Sequence, residues 1–402
     1  MAADVRRLRA GYYVVTGLTT LATSYYFNYL FFLLRDRFAF GDRQNLWMSA
    51  LHGGIYIVAA WQCGRFAERR GYHTSLVVGL SGLLVCMIAG GLVATAALQV
   101  AVLAGYTTVL LFIWPALEAL VTEHQAPERM PHAIGLYNCT WSGAAAVAYF
   151  TGGTLYDHVG SASVFWVPAL LFGSQLPLVA WLARTARSMP AVVDASPPAE
   201  PVDPGSRPAR VHAPTFLRLA WLANPFSYVA IYTLFAVMPG VAQRLGLSPT
   251  RVGLFCSIWL FGRLAAFGAL WKWTGWHYRF RWMLGAYVVL SISFVAIVVA
   301  RSLSMLVAGE VGFGVSAGLI YYSSLFYSMD AGAAKAEHGG LHEAAIGLGI
   351  CAGPAVGALS LSFFPTYPRA ATVAVTVLLA TGLALLITMW RGASRRLPAA
   401  RT

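Results

Sequence analysis

Charge is what this sequence has least of. Asp, Glu, Lys and Arg make up 11% of its 402 residues, where a soluble chain carries about a quarter. A water-facing surface cannot be covered at that density, which excludes an ordinary soluble domain. Lysine is almost missing: Lys272 and Lys335 are the only two among 28 basic residues. The cysteines, Cys63, Cys86, Cys139, Cys256 and Cys351, lie far apart and singly. That excludes a disulfide framework or a zinc-type spacing, and they read as small apolar packing residues. No Walker motif and no catalytic constellation appears, so neither ATP hydrolysis nor other enzyme chemistry is expected, and no cofactor or metal.

Apolar length is what the sequence has in excess. Hydrophobic residues make up 58% of it, and the mean hydropathy is +0.64. Runs near twenty residues match a hydrocarbon layer of about 30 Å at roughly 1.5 Å rise per residue. Twelve such runs are predicted to cross a membrane as helices: 10–34, 45–63, 75–95, 98–121, 132–154, 163–184, 215–243, 250–271, 282–300, 303–329, 341–364 and 370–390. Helices are expected because barrel strands would be about ten residues long with alternating polarity. The first run follows a basic N-terminus as a signal peptide would, but it is too long and lacks a small-residue cleavage site, so it is expected to remain as the first span.

The net charge of +13 is distributed unevenly. The N-terminal "RRLR", the 63–76 loop, the mid-chain linker, "KWTGWHYRFR" and the C-terminal "RGASRRLPAAR" carry most of the basic residues. The alternate loops hold Arg35, Arg37, Arg43, Arg244, Arg251, Arg301 and Arg369. This bias predicts both termini in the cytoplasm, and it makes the basic balance a matter of topology rather than of nucleic-acid binding. The arginine-for-lysine usage points to a GC-rich bacterial genome, hence a bacterial cytoplasmic membrane.

Residues 187–214 are rich in Pro, Ala, Ser, Asp and Arg and cannot build a core. They divide the chain into six expected spans at 1–186 and six at 215–402. A duplication is audible across that divide. "AIGLYNCTWSG" (133–143) and "AIGLGICAGPA" (345–355) align at Ile134/Ile346, Gly135/Gly347, Leu136/Leu348 and Cys139/Cys351. Both open the fifth span of their half, as a parallel repeat requires.

The loop "CGRFAERRGYHTSL" (63–76) joins spans 2 and 3. With Gly64, Phe66, Glu68, Arg69, Gly71, Tyr72, His73 and Leu76 it resembles the G-x-L-x-D-R-x-G-R-K-x-x-L signature of the major facilitator superfamily. The match weakens at the two basic positions, here Tyr72 and His73. Gly64 is expected to permit close helix approach and Gly71 to reverse the chain at positive φ. The resemblance implies twelve transmembrane helices in two six-helix bundles. It also implies that Glu68 meets the N-terminus of span 11, near 339–341, latching the cytoplasmic side in the outward-open state. The alternative is that these charges only anchor the loop.

Ionisable and polar residues inside spans are costly and therefore candidates for function. Arg263, in "WLFGRLAAF", is the one Lys or Arg well inside a span. It either binds an anionic or hydrogen-bonding substrate group or pairs with an acid such as Glu310. Glu118 and Glu310 are the intramembrane acids that could carry a proton; the alternative is a helix-end pair or cap. His338 and His342, in "EHGGLHE", are four apart, but the paired glycines are read as preceding the helix, so metal ligation is set aside. His342 and Glu343 are taken as inner-gate residues. Asn28, His52, Asn138, Trp141, Tyr321 and Tyr322 are expected to line a substrate cavity, with Tyr228, Tyr232 and Trp259 nearby.

The expectation is a monomeric secondary transporter for a small organic solute, with a proton as candidate co-substrate and lipid as solvent. Two alternatives stay open: a non-transporting receptor or assembly factor on the same fold, and a multidrug efflux pump. The glycine–proline signature of family antiporters is missing from span 5, and a partial version, "GICAGPAVG", stands in span 11.

Overall fold

The computed structural model describes residues 2–123, 130–188, 213–330 and 335–394. Fourteen helices account for the regular structure among them: α1 (Ala2–Phe38), α2 (Asp42–Arg70), α3 (Tyr72–Leu92), α4 (Ala96–Leu110), α5 (Trp114–Thr122), α6 (Met130–Val159) and α7 (Ser163–Arg187) come first. They are followed by α8 (Ala213–Arg244), α9 (Pro249–Cys256), α10 (Ile258–Lys272), α11 (Phe280–Val298), α12 (Leu303–Asp330), α13 (Lys335–Phe363) and α14 (Ala370–Ser394). Most of the predicted linker at 187–214 falls outside the described residues.

Among the described residues nine helices are long and apolar enough to cross a membrane, with α4–α5 and α9–α10 each counted as one. The long helices α1, α2 and α6 are not among the nine. Their polarity has an inward address: Thr16, Thr19, Thr20, Thr23 and Asn28 of α1, Asn45, Ser49 and His52 of α2, and Asn138 and Ser142 of α6 are all buried. Several threonines satisfy their hydroxyls within the helix, Thr16 donating to the Tyr12 carbonyl and Thr20 to that of Thr16. The outside is apolar instead. Leu170 and Phe363 are each 75% exposed, as side chains facing lipid are.

Two of the predicted runs are broken. Pro115 has no N–H for the carbonyl one turn back, and α4 gives way to α5 around residues 111–113. The Ser75 hydroxyl donates to the Phe112 carbonyl at the break (2.6 Å). The second break, at Ser257 between α9 and α10, has no proline. There the buried carboxylate of Glu310, on α12, accepts from the Trp259 backbone N–H (3.3 Å) and so caps the start of α10.

The helices before the linker meet those after it along two seams, α2 against α13 and α6 against α9 and α10. Glycine makes both seams close. A Cβ on Gly53 would lie 2.3 Å from the Cys351 backbone N, and one on Gly153 would lie 2.0 Å from the Pro249 carbonyl oxygen. At the end of the bundle away from the termini, polar ties reinforce the seams. Asp157 of α6 accepts from the Thr250 N–H (2.8 Å) and hydroxyl (2.6 Å), capping α9. Arg35 bridges Asp42 (3.0 Å) and Gln243 (2.6 Å).

Three expectations about the loops change. Gly71 does take positive φ, +89°, between α2 and α3, but a Cβ on Gly64 would meet nothing within 4 Å, so no close approach depends on it here. The paired glycines Gly339 and Gly340 do not precede a helix; α13 starts at Lys335 and runs through them, a tolerable cost of about 1 kcal/mol each. The helix start is therefore not at 339–341. Glu68 is exposed and has no hydrogen bond or ion pair among the described residues, and the side chains of His338 and His342 lie outside them.

The seam geometry separates the two glycines experimentally. Gly53→Ala is expected to destabilise the purified protein by about 1–3 kcal/mol, the cost of overpacking, whereas Gly64→Ala should stay within about 0.5 kcal/mol. Thermal melting in detergent checks both.

Candidate functional site

A cavity of about 210 Å³ lies between the two sets of helices, walled by α1, α2, α4–α6, α8, α10, α12 and α13. It gathers Asn28, His52, Glu118, Trp141, Arg263, Tyr321 and Glu343 from positions that are far apart in sequence, and Tyr228, Tyr232 and Trp259 with them. Asn138, Tyr322 and Glu310 do not line it.

Arg263 is its one strong cation. The residue is 6% exposed, and its guanidinium carbon sits 4.5 Å from the Trp141 ring centroid and 5.0 Å from that of Trp259. Trp141 belongs to α6 and Trp259 to α10, so the charge is held between one indole from each side of the seam. Among the described residues its buried Nε has no hydrogen-bond partner and no carboxylate pairs with it. The alternative pairing with Glu310 is not formed. Cation–π contact supplies about 0.5–2 kcal/mol, well short of the several kcal/mol that desolvating an ion costs. A buried guanidinium left with free donors is a ready receptor for an anion.

The acids divide by role. Glu310 is fully buried outside the cavity; one carboxylate oxygen caps α10 and the other has no partner among the described residues. It therefore fixes the segment that presents Trp259 and Arg263. Glu118 and Glu343 line the cavity itself and lie near enough for their charges to interact. The Tyr56 hydroxyl of α2 donates to Glu343 Oε2 across the seam (2.6 Å).

His52 and Asn28 add directional groups. Thr107 donates its hydroxyl proton to the Leu103 carbonyl (2.7 Å), so its oxygen is left to accept from His52 Nδ1 (2.7 Å). The proton of the neutral ring is thereby assigned to Nδ1, and Nε2 keeps a free lone pair. The ring itself stacks on Tyr232, with centroids 5.7 Å apart. The Asn28 amide, also in the wall, has no hydrogen bond to any described residue.

Asn138 works one step back. Its Oδ1 accepts from the Trp141 indole N–H (2.8 Å) while its Nδ2 donates to the Ile134 carbonyl (3.0 Å). It orients the indole that faces Arg263 rather than facing the cavity. With Tyr322 it lines a second, largely apolar cavity of about 170 Å³ beside Trp271 and Phe326.

Several wall residues escaped the sequence reading: Thr20, Thr23, Ser24 and Phe27 of α1, Tyr56 of α2, and Trp114 and Tyr137. Helical spacing was the available signal. Thr20, Ser24, Phe27 and Asn28 form one stripe, and Tyr56 follows His52 by one turn.

The sequence model of the Major Facilitator Superfamily matches residues 12–354. No curated protein matches. Among solved structures, the fold is similar to a bacterial homologue of the human lysosomal transporter Spinster, inward-facing and unoccupied (TM-score 0.73, 14% identity, 99% of each chain covered). It is also similar to the peptide transporter POT, a mutant in complex with sulfate (TM-score 0.74, 12% identity, 96% of this chain and 94% of that one). A third likeness is to the human organic anion transporter TETRAN (TM-score 0.65, 16% identity, 96% and 99%). At these identities the likeness is one of fold.

The division of the acids predicts different mutant behaviour. Glu310→Ala is expected to lose about 0.5–2 kcal/mol of stability, the usual cost of a missing cap, while Glu310→Gln keeps an acceptor for Trp259 and should melt close to the parent. Equal destabilisation of the two in thermal melts would contradict the capping role.

Proposed function

The chain belongs to the Major Facilitator Superfamily, and from that premise we propose that it is a secondary transporter moving a small organic solute with an anionic group by alternating access. It is a multi-pass membrane protein of a transporter family, not an enzyme. The observation that carries the reading is Arg263: buried, without a counter-ion and held between Trp141 and Trp259 in a cavity between the two sets of helices. A cation kept there against its desolvation cost is best accounted for by a ligand that supplies the missing charge.

In this reading α1, α2 and α6 join the nine apolar spans to make twelve, in two six-helix bundles at 1–186 and 215–402, with both termini cytoplasmic as the basic loops require. The Asp157–Thr250 and Arg35–Gln243 ties then close the outer side. Glu68, in the last turn of α2 and unpaired here among the described residues, forms its latch in the opposite state. Glu118 and Glu343 are the carboxylates available to carry a coupling proton, and the buried cap Glu310 is not needed for it.

Proteoliposome uptake of radiolabelled small organic acids tests this. Saturable uptake is expected, reduced by about 10- to 100-fold in Arg263→Ala, the worth of a lost charged hydrogen bond. Glu118→Gln should abolish acceleration of uptake by a proton gradient. Specific binding without flux in the parent protein would favour the receptor reading instead.

A further inference from the structure

The cavity keeps its two signs of charge apart. Among the described residues Arg263 has no acid partner, although two carboxylates, Glu118 and Glu343, line the same space. A direct ion pair would satisfy both signs, and the fold does not make one. Rings stand in the wall with them instead. Trp141 and Trp259 flank the guanidinium, while Tyr321 packs edge-on against Trp141 with centroids 5.5 Å apart. The acidic pole is oriented independently, through the Tyr56 hydroxyl donating to Glu343. Two carboxylates sharing a poorly hydrated cavity repel each other when both are charged, so this pole too calls for a neutralising group, a proton or a cation.

Resting on the transporter reading of the same site, we infer that the substrate is a small zwitterion. Its anionic group sits at Arg263, its cationic nitrogen at Glu118 and Glu343, and its apolar or aromatic body against Trp141, Tyr321 and Tyr232. A lone anion would leave the two carboxylates to be neutralised by protons alone, and a lone cation would leave Arg263 uncompensated. One molecule carrying both charges relieves both at once without adding net charge to the cavity. The volume of about 210 Å³ is below the roughly 300–1,000 Å³ of pockets for drug-sized ligands, which fits a solute of amino-acid size. The aromatic wall fits an uncharged body between the poles.

The test is equilibrium binding to the full-length protein in detergent, read by thermal shift and by titration. The probes are L-phenylalanine, L-tryptophan and a neutral alanine-containing dipeptide of each. Each is compared with its deamino acid, which keeps the carboxylate alone, and with its decarboxylated amine. The expected result is that at least one zwitterion binds about 10- to 100-fold more tightly than either singly charged analogue. Glu343→Gln should erase the preference for the zwitterion over its deamino acid, with the deamino acid bound at least as tightly as by the parent. Glu118→Gln serves as the second variant should Glu343→Gln lose its monodisperse elution. Arg263→Gln should erase the preference over the amine.

A deamino acid binding as tightly as its zwitterion would overturn the inference yet leave the transporter reading intact, provided that the same acid is taken up by proteoliposomes. No binding by any zwitterion of the panel would overturn it as well. An absence of flux for every bound compound would count against the transporter reading, whatever the charge preference.

Discussion

A guanidinium with no counter-ion among the described residues, held by two indoles in a cavity where two helix sets meet, is the constraint around which the molecule is organised. Lipid as solvent leaves little freedom for such a group. It must face inward, and its donors must find something to bind. The rings over which it lies belong to Trp141 and Trp259, whose faces attract the charge without satisfying its N–H groups. What remains is an unmet electrostatic demand, directed into a space that a small molecule can enter.

The scaffold around Arg263 reads as a sequence of local devices that hold this arrangement. The break at Ser257 turns α9 into α10, and Glu310 accepts the amide that the break exposes. Asn138 takes the indole proton of Trp141 and returns its own to the Ile134 carbonyl. Glu310 thereby fixes the segment that carries Trp259, and Asn138 orients the Trp141 ring. Close seams at Gly53 and Gly153 bring the two sets of helices near enough for the indoles to share one cation. A relative shift of the sets would pull Trp141 and Trp259 apart, so occupancy at Arg263 and the packing of the seams are mechanically linked.

Much of the fold was legible because membrane helices are written in run length. The apolar runs, the break implied by Pro115 and the positive φ at Gly71 all follow from local chemistry. What failed to be legible depends on distant partners. Asn138 looks like a cavity residue in sequence, and Glu310 like either a proton carrier or a helix-end cap, because intramembrane polarity is the only signal there; their hydrogen-bond partners appear only after folding. The break at Ser257 has no proline to announce it. Glu343 was read as a gate residue because the paired glycines suggested that a helix began beside it; with α13 starting at Lys335, Glu343 stands well inside a helix and in the cavity wall. Tyr56, its hydrogen-bond donor, gave no sign beyond its one-turn spacing from His52.

The most direct measurement of the central claim is the melting temperature of ligand-free Arg263→Met, compared with the parent in the same detergent. An arginine maintained for a ligand, at the expense of its own solvation, should be dispensable to folding, and the apolar side chain is expected to melt at or above the parent. A fall equivalent to about 3–5 kcal/mol, as follows removal of one partner from a buried ion pair, would mean that Arg263 is a structural charge and would contradict the account.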